Sequence, residues 1–179
     1  MQQSEMVALI RGGVPGPGGA WADLGAGTGN FSWALAELIG PEGVIHAVDR
    51  DGKAIRQINE RIARADPGAA IISRQADFTR RLGLPALDGV LLANALHFIR
   101  DQPAALALAA SYLRPGGRLL IVEYDLRLPL PWTPFPISFA RFQALASEAG
   151  LIEPAEIGRR VSPSSGVAMF AAAALRPHD

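Results

Sequence analysis

Three glycines at alternate positions, Gly25, Gly27 and Gly29, interrupt an otherwise apolar stretch. Ala20, Trp21, Ala22 and Leu24 precede them, and the helix-compatible run Phe31–Leu38 starts just after Asn30. Glycine is needed where the chain takes φ values that a Cβ forbids, or where backbone must touch a ligand. A strand, a tight turn through Gly25, Ala26, Gly27 and Gly29, and a helix opening near Asn30 would present free N–H groups at the carboxyl end of the strand. Open α/β sheets bind their ligands there. A second chemical group stands about twenty residues further on, the spacing at which a carboxylate accepts bonds from both hydroxyls of a ribose. It is Asp49, with Arg50 beside it, at the end of the run Val44–Val48. The third is His97, an imidazole able to take a proton near neutral pH.

Alternating strands and helices are the elements that can hold such groups together. Val44–Val48, Ala69–Arg74, Leu87–Ala93 and Arg118–Glu123 read as strands, the third of them as one buried on both faces. Gly40-Pro41 and Pro67-Gly68 stop the first two helices, and Asp51 is placed to cap the helix carrying Ile55, Ile58 and Ile62. Pro103–Leu113 reads as a helix, and Pro115-Gly116-Gly117 turns the chain into the next strand. Leu126–Ile137, with four prolines, reads as an extended loop whose Trp132 and Phe135, with Tyr124, are candidates for a substrate wall. A helix through Phe139, Phe142 and Leu145 follows. Leu151–Val161 and Val167–Leu175 then read as an antiparallel pair about Ser162–Gly166. The fold class expected is α/β, doubly wound and Rossmann-like, with a mostly parallel sheet. Residues 1–19 read as an N-terminal leader or short lid helix, and residues 20–179 as one domain.

The third glycine comes one residue too early for Gly-x-Gly-x-x-Gly, and Asp23 precedes Gly25 by two. This Asp-x-Gly-x-Gly-x-Gly pattern resembles motif I of the class I S-adenosylmethionine-dependent methyltransferases. Asn94-Ala95-Leu96-His97-Phe98 and the turn Leu113-x-Pro-Gly-Gly-x-Leu119 resemble the same family, particularly its quinone-biosynthesis C-methyltransferase group. The resemblance implies a seven-stranded sheet of order 3-2-1-4-5-7-6 with strand seven antiparallel. It places the methionine part of S-adenosylmethionine on the glycine loop and beside Asn94, and the cofactor's ammonium near Asp23. A carboxylate suits that cation and would repel a pyrophosphate. Asp77 then meets the adenine amino group, Phe78 lies against the ring, and His97 is the candidate base. The implied chemistry is in-line attack by a small-molecule acceptor on the sulfonium methyl, releasing S-adenosylhomocysteine. Asn94, Glu123 and Asp125 do not reproduce the acids with which catechol-type relatives hold magnesium, so no metal is expected. The Asn/Asp-Pro-Pro-Tyr signature of DNA-methylating relatives is absent.

Composition narrows the classes further. The 179 residues carry 17 basic and 17 acidic side chains, which gives no global field to recruit nucleic acid or anionic membrane. Cysteine is absent, which excludes disulfides, thiolate catalysis and cysteine-held zinc. No apolar run has the length of a membrane span, and the cytoplasm is the expected compartment. The short stretch before the first strand leaves the acceptor site open to completion by a second subunit, so a homodimer stays among the expectations. Two alternatives to the transferase reading remain: a protein of the same fold that binds the cofactor without turnover, and an NAD(P)-dependent oxidoreductase.

Overall fold

The computed structural model describes residues 1–178. Its strands are β1 (Gly19–Leu24), β2 (Gly43–Asp49), β3 (Ala70–Gln75), β4 (Leu87–Ala93), β5 (Leu113–Tyr124), β6 (Ile152–Val161) and β7 (Ala168–Leu175). They form one seven-stranded sheet in the order β3-β2-β1-β4-β5-β7-β6. From β3 to β5 every neighbour is parallel, and β7 runs antiparallel to both β5 and β6. The doubly wound sheet with one reversed strand is therefore the architecture the chain adopts.

Helices α1 (Gln3–Ile10), α2 (Asn30–Ile39), α3 (Gly52–Arg64), α4 (Gln102–Ser111) and α5 (Phe139–Glu148) cover the two faces. The central strands are apolar at consecutive positions because both faces are buried. Trp21, Leu91 and Leu120 point toward α1 and α2, while Leu24, Leu92 and Ile121 point toward α4 and α5. Among the described residues, no helix is long and apolar enough to cross a membrane.

One feature departs from the simplest reading of the sequence, and a second adds to it. β5 begins at Leu113 rather than Arg118, because Leu113 already pairs with Leu87 ahead of the Pro-Gly-Gly segment. That segment is a bulge inside the strand: Gly116 takes φ +74°, and its N–H donates to the Arg176 carbonyl at 3.0 Å. The second concerns residues 1–19. α1 buries Met6, Val7, Leu9 and Ile10 against the sheet and α2. Its close seat on β6 depends on Gly158, where a Cβ would come within 2.6 Å of the Leu9 carbonyl oxygen. Glu5 is also paired with Arg160 of β6 at 2.6 Å.

Trp21, one of the largest fully buried side chains, owes its seat to a single missing methyl group. Its partner in register on β4 is Gly89, and a Cβ there would overlap the indole ring. Gly89→Ala is expected to cost about 1–3 kcal/mol of stability, as overpacking does, measured as a lowered urea midpoint with an unchanged slope.

Candidate functional site

The glycine turn sits at the carboxyl ends of β1 and β4. Gly25, Gly27 and Gly29 have φ of +77°, +53° and +83°, in the left-handed region that disfavours any side chain. Each has its own further reason to be glycine. A Cβ at Gly25 would fall 2.6 Å from the Cβ of Ala95, so the two strand ends approach as closely as backbone allows. At Gly27 a Cβ would meet nothing within 4 Å, because that residue borders open space. Gly29 is buried under α3, with a Cβ there 2.9 Å from Ile58, and it lines neither cavity described below. Its place is at the start of α2, packed against Ile58.

Asp49 ties this turn to β2. Its Oδ2 accepts the Gly27 N–H at 2.8 Å, and its Oδ1 accepts the Asp51 N–H at 2.8 Å. Asp51 in turn caps α3 by accepting the Lys53 N–H at 2.8 Å, as the helical pattern implies. The Asp49 carboxylate is thus oriented by backbone on both oxygens and keeps lone pairs for further donors.

Two cavities meet at Gly25, Gly27 and Asn94. One, of about 440 Å³, is bordered by Asp49, Arg50, Asp77, Phe78 and Phe98. Asp77 accepts from the Thr79 N–H and hydroxyl at 2.9 and 2.6 Å, and these bonds hold its carboxyl below the usual range. The other, of about 370 Å³, is bordered by Asp23, Ala26, Asn30, Tyr124 and Met6, among others. Asn94 bridges the two with φ +53°, and its buried Oδ1 has no hydrogen-bond partner among the described residues. Asp23 is fully buried. Its Oδ2 accepts the Ser32 hydroxyl at 2.6 Å, while Oδ1 has no partner among the described residues. Burial pushes its pKa up to about 7, Ser32 opposes that shift, and the Asp49 charge adds to it. Each unpartnered oxygen is costly in a buried site unless something donates to it.

His97 is not where a base in contact with an acceptor would stand. It is 3% exposed and lines neither cavity. Its Nδ1 pairs with Glu123 Oε2 at 2.6 Å, and Glu123 Oε1 accepts the Leu96 and His97 N–H groups at 3.0 and 3.3 Å. The pair clamps the segment after β4 to the end of β5, a contact between residues far apart in sequence. Asp125 is likewise engaged, by Arg159 at 2.7 Å. Of the aromatic candidates, Tyr124 borders the cavity of Asp23 and Trp132 packs edge-on against it at 4.7 Å. Phe135 lines neither cavity; its N–H donates to the His97 carbonyl, and its own carbonyl accepts from Gln102. Sequence reasoning passed over Met6, Met169, Ser162 and Ser164, which wall the same cavity. Only the position of the β6–β7 turn at the carboxyl end of the sheet could have pointed to the serines.

A family model described as a methyltransferase domain matches residues 22–119, more than half of the chain. The chain belongs to that methyltransferase family. A ubiquinone/menaquinone biosynthesis C-methyltransferase, UbiE, of Bordetella parapertussis is 31% identical over 120 residues, 66% of this chain and 45% of that protein. A probable cobalt-precorrin-6B C(15)-methyltransferase of Thermoplasma volcanium is 29% identical over 67% of this chain and 58% of its own length. The chain thus spans about half the length of these relatives. Among solved structures, a Haemonchus contortus phosphoethanolamine N-methyltransferase in complex with S-adenosylhomocysteine superposes with a TM-score of 0.77. It is 15% identical, and the match covers 98% of this chain and 53% of that one. At such identity the likeness is one of fold.

The Asp23 carboxyl has a defined signature in stability. Its folded pKa of about 7 lies above the ordinary aspartate value of 3.8, so the folded state holds a proton that the unfolded state has released between those pH values. Stability from this group is complete below about pH 4 and falls as pH rises toward 7, at about 1.4 kcal/mol per pH unit. Asp23→Asn should flatten that part of the pH–stability curve, read by urea denaturation at successive pH values. For the clamp, Glu123→Ala leaves three buried donors without an acceptor and is expected to cost about 3–5 kcal/mol, seen as a large drop in Tm.

Proposed function

We propose that this chain binds S-adenosylmethionine across the two cavities and transfers its methyl group to a small-molecule acceptor, releasing S-adenosylhomocysteine. The observation that carries this reading is the conjunction of two unpartnered buried oxygens, on Asp23 and Asn94, with the oriented carboxylate of Asp49 across the glycine turn. A ligand with a cationic amino-acid end and a ribose satisfies both at once. Asp49 receives the ribose hydroxyls. Asp77 receives the adenine amino group, and Phe78 lies against the ring. At the other end, Asp23 faces the ammonium, and Asn94 accepts from the same part of the ligand. A pyrophosphate in this position would meet the Asp23 carboxylate, which speaks against a nicotinamide dinucleotide.

When bound, S-adenosylmethionine supplies a methyl group made electrophilic by its sulfonium. The residues of the chain then have two tasks, holding donor and acceptor in line and keeping water from the cleft. α1 and the β6–β7 turn form the outer wall for the second task. The relatives named as methyltransferases of quinones, precorrins and phosphoethanolamine act on their own substrates, and their diversity is consistent with a shared donor half and a variable acceptor half.

Calorimetric titration with S-adenosylmethionine, S-adenosylhomocysteine and NADH tests the reading. Binding of the two adenosyl ligands without NADH supports it, and binding of NADH alone overturns it. Asp49→Ala should weaken S-adenosylhomocysteine binding by about 1.5–3 kcal/mol, the loss of two charge-assisted bonds; an unchanged affinity would remove Asp49 from the site.

A further inference from the structure

Asn94 stands in a conformation that few side chains adopt. Among the described residues, only Asn94 and Glu153 have a positive φ without being glycine, each at +53°. Residues in such sparsely populated regions persist where their surroundings over-determine them. For Asn94 the surroundings come from β5. The parallel ladder pairs Ala93 with Val122, and the Asn94 N–H extends it by donating to the Val122 carbonyl at 2.8 Å. There the chain turns away from the sheet. The N–H groups of Leu96 and His97 donate instead to a side chain, that of Glu123, the residue after Val122.

Glu123 is fully buried and borders neither cavity. One of its oxygens serves the two N–H groups at 3.0 and 3.3 Å, and the other holds the His97 ring at 2.6 Å. The His97 carbonyl is engaged as well, accepting the Phe135 N–H at 3.0 Å. Asn94 therefore lies between two anchors on a single strand, a backbone bond at its own N–H and a side-chain clamp on Leu96 and His97. A chain fixed on both sides has little freedom to rotate at the residue between them. What this protects is the Asn94 Oδ1, buried without a partner among the described residues, on a residue that borders both cavities. Hydrogen bonds weaken steeply as their geometry departs from the preferred one, so the value of that oxygen to a ligand depends on its direction.

Resting on the function proposed above, we infer that Glu123 is a positioning residue for the methyl donor. By clamping Leu96 and His97 it fixes the turn of the chain at Asn94, and thereby aims Oδ1 at the amino-acid end of S-adenosylmethionine. Its effect on the ligand passes wholly through Asn94. A residue that served stability alone would behave differently, because loosening the strand ends would disturb the adenosine side and the amino-acid side together. Fixing Asn94 concerns the second side only.

The full chain is first titrated with S-adenosylhomocysteine, and failure of the unsubstituted protein to bind would overturn the function and this inference with it. Glu123→Ala is expected to lower Tm strongly, so Glu123→Gln carries the measurement, at a temperature where it remains folded. Whichever way its amide sits, one acceptor oxygen of the clamp has become a donor. Asn94→Gly deletes Oδ1, while glycine keeps φ near +53° at no steric cost. Glu123→Gln should weaken S-adenosylhomocysteine binding at least about threefold in the otherwise unsubstituted chain, and by less than about 1.5-fold in the Asn94→Gly chain. Affinity for 5′-methylthioadenosine, an adenosyl thioether without the amino-acid end, should change by less than about 1.5-fold in Glu123→Gln. With the unsubstituted protein binding S-adenosylhomocysteine normally, an equal loss in both backgrounds, an equal loss for both ligands, or a lowered Tm with unchanged affinity overturns the inference and leaves the function standing.

Discussion

Between the ends of β1 and β4 there is no room for a methyl group. Gly25 and Ala95 meet so closely that a Cβ on the glycine would collide with the one on the alanine. Much of the site follows from that approach. It divides the space above the sheet into two cavities joined at Gly25, Gly27 and Asn94. It also leaves the turn in a conformation that helical or extended hydrogen bonding cannot stabilise. The Val48 carbonyl and the Asp49 carboxylate do so instead, accepting from Gly25, Ala26 and Gly27. The strand that ends in the Asp49 carboxylate is therefore the strand that holds the loop in place.

Electrostatics distinguish the two cavities. The one bordered by Asp49 and Asp77 also has Arg50 and Arg100 on its margin, in reach of solvent. The other holds a single carboxyl, fully buried and bonded on one oxygen only, whose burial favours the protonated form. In the function proposed above, an arriving ammonium would reverse that preference. Ionisation of Asp23 and capture of a cation would then be one event, and the desolvation that is costly to the empty protein would sharpen its choice of ligand.

The residues that border the two cavities at the ends of β1 and β2 were legible in the sequence because they are local. Asp23, the glycines and Asn30 lie within eight residues of one another, Asp49 ends the apolar strand β2, and Asp77 follows β3 by two residues. Asp51 could be read as a helix cap for the same reason. Function and packing are hardest to tell apart in a sequence where both use the same residue types. Gly29 belongs to a glycine motif, yet Ile58 of α3 accounts for it. His97 has the chemistry of a base, yet its partner Glu123 lies on another strand and takes it out of the cavity. The rest of the wall of the Asp23 cavity was hidden for a different reason. Met6, Ser162 and Met169 are scattered along the chain, and only the strand order β5-β7-β6 with α1 laid across it brings them beside Tyr124.

The ion pair between Glu5 and Arg160 joins α1 to the strand that leads into the Ser162–Gly166 turn. Both α1 and that turn border the cavity of Asp23, so the pair fastens two parts of its wall to one another, and Gln3 of the same helix accepts from Arg61 of α3 at 3.1 Å. In the function proposed above, substitutions in the first helix or the last turn would reshape what is accepted while the grip of Asp49 and Asp77 on the adenosyl group stays as it was, so a lineage could acquire new acceptors without first losing its donor.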